Sequence, residues 1–284
     1  MRPEVHHSYD EIAELPAQVK ALYEKLKIEI RKGSDLESAL DLCANVNTKI
    51  DNMGRKELME LSRAQRVLLA IRECASEAEI KEPAKRITEN SLDPASPTHS
   101  AGKDAVFELE LLQYVRHRGL KARLAEPDIV VQMSFGDYFI ACKTINSLKN
   151  FKGQLRSGYR QVEKYGHGNG CVAFNLEPHM HFEQPLRTST TKEAQDKLEA
   201  LLQSLYFDFK DLLDRKLDDG RLDGAAFQMS CFAEIAESPS DLDVFTHTIY
   251  YSRSDLQDQE AIVRFSEFKM AMQGPMGQKM HGYR

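Results

Sequence analysis

The segment from Glu108 to Lys143 limits what this chain can fold into more than any other stretch. Phe107, Leu111, Leu112 and Val115 recur at helical spacing and Gly119 follows as a stop, so residues 103–118 read as an amphipathic helix. Three stretches of strand length come next: LKARLA, DIVVQM and DYFIACKTI. Phe135-Gly136 sets a tight turn between the last two. A helix leading into such a meander buries its apolar stripe by lying on the sheet that the strands form. Strand side chains alternate, so Ala141 and Lys143 share a face. Pairing of the two strands brings Asp128 to that face, within reach of a glutamate from FELEL. An aspartate, a glutamate and a lysine at one strand end is the set a divalent-metal hydrolase needs. At position 141 the chain carries a methyl group in place of a further carboxylate.

Upstream, residues 9 to about 80 read as helix. Ile12, Leu15, Val19, Leu22 and Leu26 make one apolar stripe, and Ser34 with Glu37 forms a capping box for a second helix. That helix carries Leu36, Leu40, Cys43 and Ile50 and stops at Asn52, Met53 and Gly54. A third carries Leu58, Leu61, Leu68 and Ile71. Short turns between them predict a small antiparallel bundle over 1–89, suited to forming a homodimer or docking a partner protein. Residues 90–102, NSLDPASPTHSAG, are the expected linker.

Downstream of Lys143 the pattern predicts a helix over roughly 149–165, a central strand CVAFNLE, a long helix near 191–216 and two further strands, AAFQMSCFAEI and VFTHTIYYS. The last ~20 residues, rich in Met, Gly and Gln, read as poorly ordered. The domain containing the meander is expected over 103–270, with a flexible tail at 271–284.

Composition narrows the class. A hydrophobic content of 42% with 29% charged residues fits a globular chain in water, and no apolar run approaches the ~18 residues of a membrane span. The start, MRPEVHHSYDEI, has no secretory apolar core. Cys43, Cys74, Cys142, Cys171 and Cys231 form no CxxC pair and read as free thiols in a reducing cytoplasm. The net charge of −6 argues against a chain that coats nucleic acid, but it leaves room for a local basic patch. Lys149, Lys152, Arg156, Arg160 and Lys164 supply one. Arg156, Arg160 and Lys164 are spaced by four and form a stripe that would follow a phosphate backbone. His179 and His181 flank Met180, too few ligands for a structural zinc site.

The order helix, three strands, helix, strand, with Pro127-Asp128 opening one strand and Lys143 closing the next, resembles the core of the PD-(D/E)XK nuclease superfamily. The resemblance covers roughly Lys103 to Glu177. It implies an α/β (α+β), restriction-endonuclease-like mixed central sheet flanked by helices. It also implies a cytoplasmic nuclease dependent on Mg²⁺, with Mn²⁺ as a substitute, acting on DNA ahead of RNA. Asp128 would be the central metal ligand, joined by the Cys142 carbonyl. Glu108, with Glu110 as the fallback, matches the helical glutamate. Lys143 matches the signature lysine and Gln161 the glutamine of the following helix. Ala141 departs from the pattern, where the family has Glu or Asp. That implies impaired cleavage, and the gap would come from a deliberate Glu→Ala or Asp→Ala change, from natural loss in a fold kept for binding nucleic acid or protein, or from an acid that has migrated to Glu163 or Asp137. Analogy with the fold points to a bacterial antiviral defence or DNA-processing system.

Overall fold

The structure, a computed structural model, describes residues 7–94, 96, 98–180, 185–237 and 242–273. Five helices lead the chain: α1 (Tyr9–Leu26), α2 (Asp35–Ala44), the short α3 (Val46–Lys49), α4 (Arg55–Glu73) and α5 (Lys81–Glu89). Ser8 and Glu11 form a capping box at the start of α1. At α2 the expected reciprocal box is half made: Ser34 accepts from the Glu37 amide, while the Glu37 carboxylate takes the Gly33 amide instead. The second expected helix does not run on to Ile50; it breaks at Asn45, whose side chain turns back onto the Asp41 carbonyl. Helix α5 was not foreseen, because Pro83 and a short charged run mask its apolar side.

Helix α6 (Ala101–His117) begins at Ser100, whose hydroxyl accepts from the Gly102 and Lys103 amides. Then come β1 (Lys121–Leu124), β2 (Ile129–Met133) and β3 (Gly136–Thr144), an antiparallel meander. Helix α7 (Phe151–Gly166) carries the chain over to β4 (Gly170–Asn175), which runs parallel to β3. The remainder adds β5 (Leu186–Thr188), α8 (Thr191–Phe207), α9 (Lys210–Asp218), β6 (Gly224–Ile235), β7 (Asp243–Tyr251) and α10 (Gln259–Gln273). Strand β6 pairs in parallel with β4 and, further along, with β5, while β7 pairs antiparallel to it. Ala233 has partners in both β5 and β7, so β5 continues the edge that β4 began. The result is one mixed sheet flanked by helices.

Further departures lie downstream. The long helix near 191–216 is two helices, since the chain turns at Asp208 and Phe209 and Phe209 stacks on Phe151 at 3.9 Å. Strand β5 is too short to show a period. The stretch read as poorly ordered is helical through Gln273, because Phe265, Phe268 and Met272 bury against the sheet. Residues 274–284, most of the expected tail, lie outside the described residues.

The sheet separates two apolar layers. On one side, Ile129, Val131, Ile140 and Cys142 join α6, α10 and the leading helices, so one cluster runs from Ile12 of α1 into β3 and β4. On the other, Ala141, Val172, Phe174 and Phe227 pack under α7, α8 and α9. Segment 90–102 is tied down at both ends. Asp35 accepts from Ser91 and Leu92, and the Lys103 ammonium donates to the Ser96 and Thr98 carbonyls.

One ion cluster fastens the leading helices to the sheet. Arg66 of α4 donates to Glu110 of α6 at 3.0 Å through two nitrogens, and to both oxygens of Glu177, beyond β4, at 3.1 Å. Its side chain is 15% exposed and the two glutamates less. Burial opposes the charge of Arg66, but Glu110 and then Glu177 hold the guanidinium well above its ordinary proton affinity. Removing it takes a shared cation from two buried carboxylates. Arg66→Met is therefore expected to cost about 3–5 kcal/mol in urea unfolding; a loss under ~1 kcal/mol would mean that the glutamates find other partners.

Candidate functional site

Geometry around β3 follows from register. Ile129 faces Ile140, so one step back Asp128 lies opposite Ala141, with Lys143 two residues further on the same face. Asp128 Oδ2 accepts from the Cys142 amide at 2.6 Å and stands 3.7 Å from Lys143 Nζ. That ammonium also donates to the Cys142 carbonyl at 2.8 Å. Asp128 and Lys143 thus meet as the sequence predicted. Ala141 is fully buried in the α7-side apolar layer.

Glu108 arrives from α6, and Arg86 of α5 grips it with two parallel bonds, 2.9 Å to Oε1 and 2.5 Å to Oε2. Glu110, two residues on, turns to Arg66. One turn before Glu108, Asp104 Oδ1 accepts from the Thr144 amide at 3.1 Å, pinning the start of α6 to the end of β3. Sequence reasoning missed Asp104 and Arg86. Asp104 stands four residues before Glu108, so helical spacing could have found it. Arg86 gave no local signal, because its role depends on how α5 packs.

Electrostatics couple these groups. Burial pushes the Asp128 carboxyl up to about 7, and the nearby charge of Glu108 adds to the rise. Lys143, the Cys142 amide and Arg86 oppose it. Glu108 is likewise raised, by burial first, against the pull of Arg86 and Lys143. Burial lifts the Cys142 thiol well above its ordinary value, which leaves it an inert apolar filler.

The donors are already committed to protein cations and amides. Both Glu108 oxygens hold Arg86, Asp128 Oδ2 holds the Cys142 amide, and the Cys142 carbonyl holds Lys143. Among the described residues no group of three His, Cys, Asp or Glu is placed to hold a metal ion. With a methyl at 141, this set does not fit a resident Mg²⁺ or Mn²⁺. Neither alternative acid reaches the gap. Glu163 is exposed and bound by Arg221, and Asp137 lies at the opposite end of β3 beside Arg123.

Next to the cluster, α7 lines an open groove of about 550 Å³ together with Glu126, two residues before Asp128. Gly153, Arg156, Ser157, Arg160, Gln161, Lys164 and Tyr165 form its wall. Gln161 faces this groove and, among the described residues, makes no hydrogen bond to Asp128 or Lys143; its Oε1 is buried without a partner. Lys149, Lys152, Arg156, Arg160 and Lys164 are exposed, and none of them forms an ion pair with a carboxylate among the described residues. His179 is half-buried, which depresses its proton affinity, and His181 lies outside the described residues.

Compared with protein families, curated proteins and solved structures, the chain matches none. Among the described residues no helix is long and apolar enough to cross a membrane.

The raised Asp128 carboxyl has a measurable consequence. An acid that holds its proton to about pH 7 when folded, and to about 3.9 when unfolded, adds stability at low pH and loses it as pH climbs through 7. The unfolding free energy of the wild type minus that of Asp128→Asn, from urea titrations, should therefore fall from pH 5 to about pH 7 and level off above it, by up to ~1.4 kcal/mol per tenfold difference in proton affinity. A flat difference across that range would show that Asp128 is ionised throughout.

Proposed function

We propose that this chain is a DNA-acting protein built on a PD-(D/E)XK nuclease core, with cleavage impaired at position 141. The observation that carries this reading is the register of β2 and β3, which sets Asp128 opposite Ala141 and brings it within 3.7 Å of Lys143. Support also comes from the element order α6, β1, β2, β3, α7, β4, from Glu108 at the same cluster, and from the cationic wall of α7 beside it. A divalent cation would supply Lewis-acid chemistry to such a site, with Asp128 and an acid at 141 as the residues that would hold it. In this chain Lys143 would steady charge on the phosphate, and Asp128, which burial holds partly protonated near neutrality, would hold or release a proton. A carboxylate at 141 would face Asp128 directly and supply the missing hard ligand. A place in a defence or DNA-processing system rests on likeness of fold alone.

A second reading, a naturally silent fold kept for binding, is favoured by one observation. Arg86 and Lys143 neutralise the two acids that a metal would otherwise need.

Ala141→Glu separates the two readings. The variant and the wild type would be incubated with plasmid, linear and single-stranded DNA, in Mg²⁺ and in EDTA. The first reading expects Mg²⁺-dependent cutting by the Glu variant alone, abolished again by adding Lys143→Ala. A folded Glu variant that binds DNA and never cuts it supports the second.

A further inference from the structure

The solvent side of α7 carries two neighbouring rows at the same four-residue spacing. Lys152, Arg156, Arg160 and Lys164 make one; Gly153, Ser157, Gln161 and Tyr165 make the other. A step of four residues advances ~6 Å along a helix, so the cations mark out a ridge ~18 Å long, slightly inclined to the axis. Beside it runs a neutral trough with a gap at Gly153, where a Cβ would meet nothing within 4 Å. The trough ends at the Tyr165 ring, which lies 4.5 Å from Lys164 Nζ. Gln161 lines it, with its carbonyl oxygen turned under the surface and without a partner.

Several arginines elsewhere are occupied. Arg66, Arg86, Arg116, Arg221, Arg253 and Arg264 all hold carboxylates. Lys152, Arg156 and Arg160 hold none among the described residues, and Glu126 is the acid that lines the groove. In a chain of net charge −6, a helix that keeps a row of cations uncommitted offers them to an external polyanion.

From this we infer that α7 binds a single polynucleotide strand, with four successive phosphates on the ridge and the sugars or bases lying over the trough. The inference rests on the nucleic-acid reading above and goes beyond it by choosing strandedness. The trough decides the choice. A duplex keeps its bases stacked inside and meets a helix face with backbone and groove edges, so it would leave a trough beside the ridge unfilled. An unpaired strand can set its phosphates on the ridge and its bases over the trough. An unpaired strand also exposes base edges and faces, which the Gln161 amide and the Tyr165 ring are placed to meet.

Fluorescence anisotropy with an oligothymidylate, its blunt duplex and the matching oligouridylate would test this. Titrations in EDTA across about 50–200 mM salt give the slope of log K against log salt. Four neutralised phosphates predict a slope of about −2.8 for a single strand, and Arg156→Ala or Arg160→Ala should each reduce its size by ~0.7. Gly153→Gln fills the trough at a position where losing glycine favours the helix, so it should weaken binding several-fold with the slope and the Tm maintained. Duplex bound as tightly as single-stranded DNA, or a slope indifferent to the arginine changes, overturns the inference and leaves the nucleic-acid reading standing. No binding to any of the three probes at the lowest salt removes that reading as well. The DNA and RNA arms show whether the sugar matters.

Discussion

Helix α6 is enclosed by the leading helices on one side and the sheet on the other, and much of the molecule is arranged around that fact. Lys103, Glu108 and Glu110 all lie on it with almost no exposure. A buried charge survives only if it is paired or bonded in place. Each of the three has its own partner: two loop carbonyls for Lys103, Arg86 for Glu108, Arg66 for Glu110. The partners come from α4, α5 and the segment before α6. The leading helices therefore complete the environment of the sheet, and their hold on it is electrostatic as well as apolar.

The same enclosure decides how the Asp128 cluster behaves. Arg86 could not be released from Glu108 without exposing a carboxylate that burial penalises. Lys143 likewise bridges Asp128 and the Cys142 carbonyl. The cluster is compensated internally, by Arg86 on Glu108 and Lys143 on Asp128. The outer face of α7 follows the opposite rule, with its cations in water and uncommitted. Chemistry that demands compensation is inside, and charge available to a ligand is outside, within a few residues along the chain.

Much of this was legible in the sequence. The meander from β1 to β3, helix α7, strand β4 and the meeting of Asp128 with Lys143 all follow from period and alternation, because those segments carry one strong pattern each. The α7 stripe was legible for the same reason, and extending it to Lys152 needed only the same count of four. What failed was short or context-bound. Strand β5 has three residues, α5 hides its stripe behind a proline, and the turn at Asp208 and Phe209 is set by Phe209 stacking on Phe151. Arg86 joins the cluster through tertiary packing alone, while Asp104 shares a helix face with Glu108 that a count of four would have shown. Gln161 was placed on the correct helix, yet it opens to the groove rather than to the lysine.

The uncommitted row on α7 also shapes how the molecule meets anything at a distance. A body that is acidic overall and basic along one helix is an electric dipole as well as an ion. In the field of a long polyanion its net charge is repelled while the torque turns α7 forward, so orientation comes before contact. Encounters that begin with another face are pushed away, and those that begin with α7 are retained. Low affinity for bulk nucleic acid and a preferred angle of approach would then have a single origin in the distribution of charge.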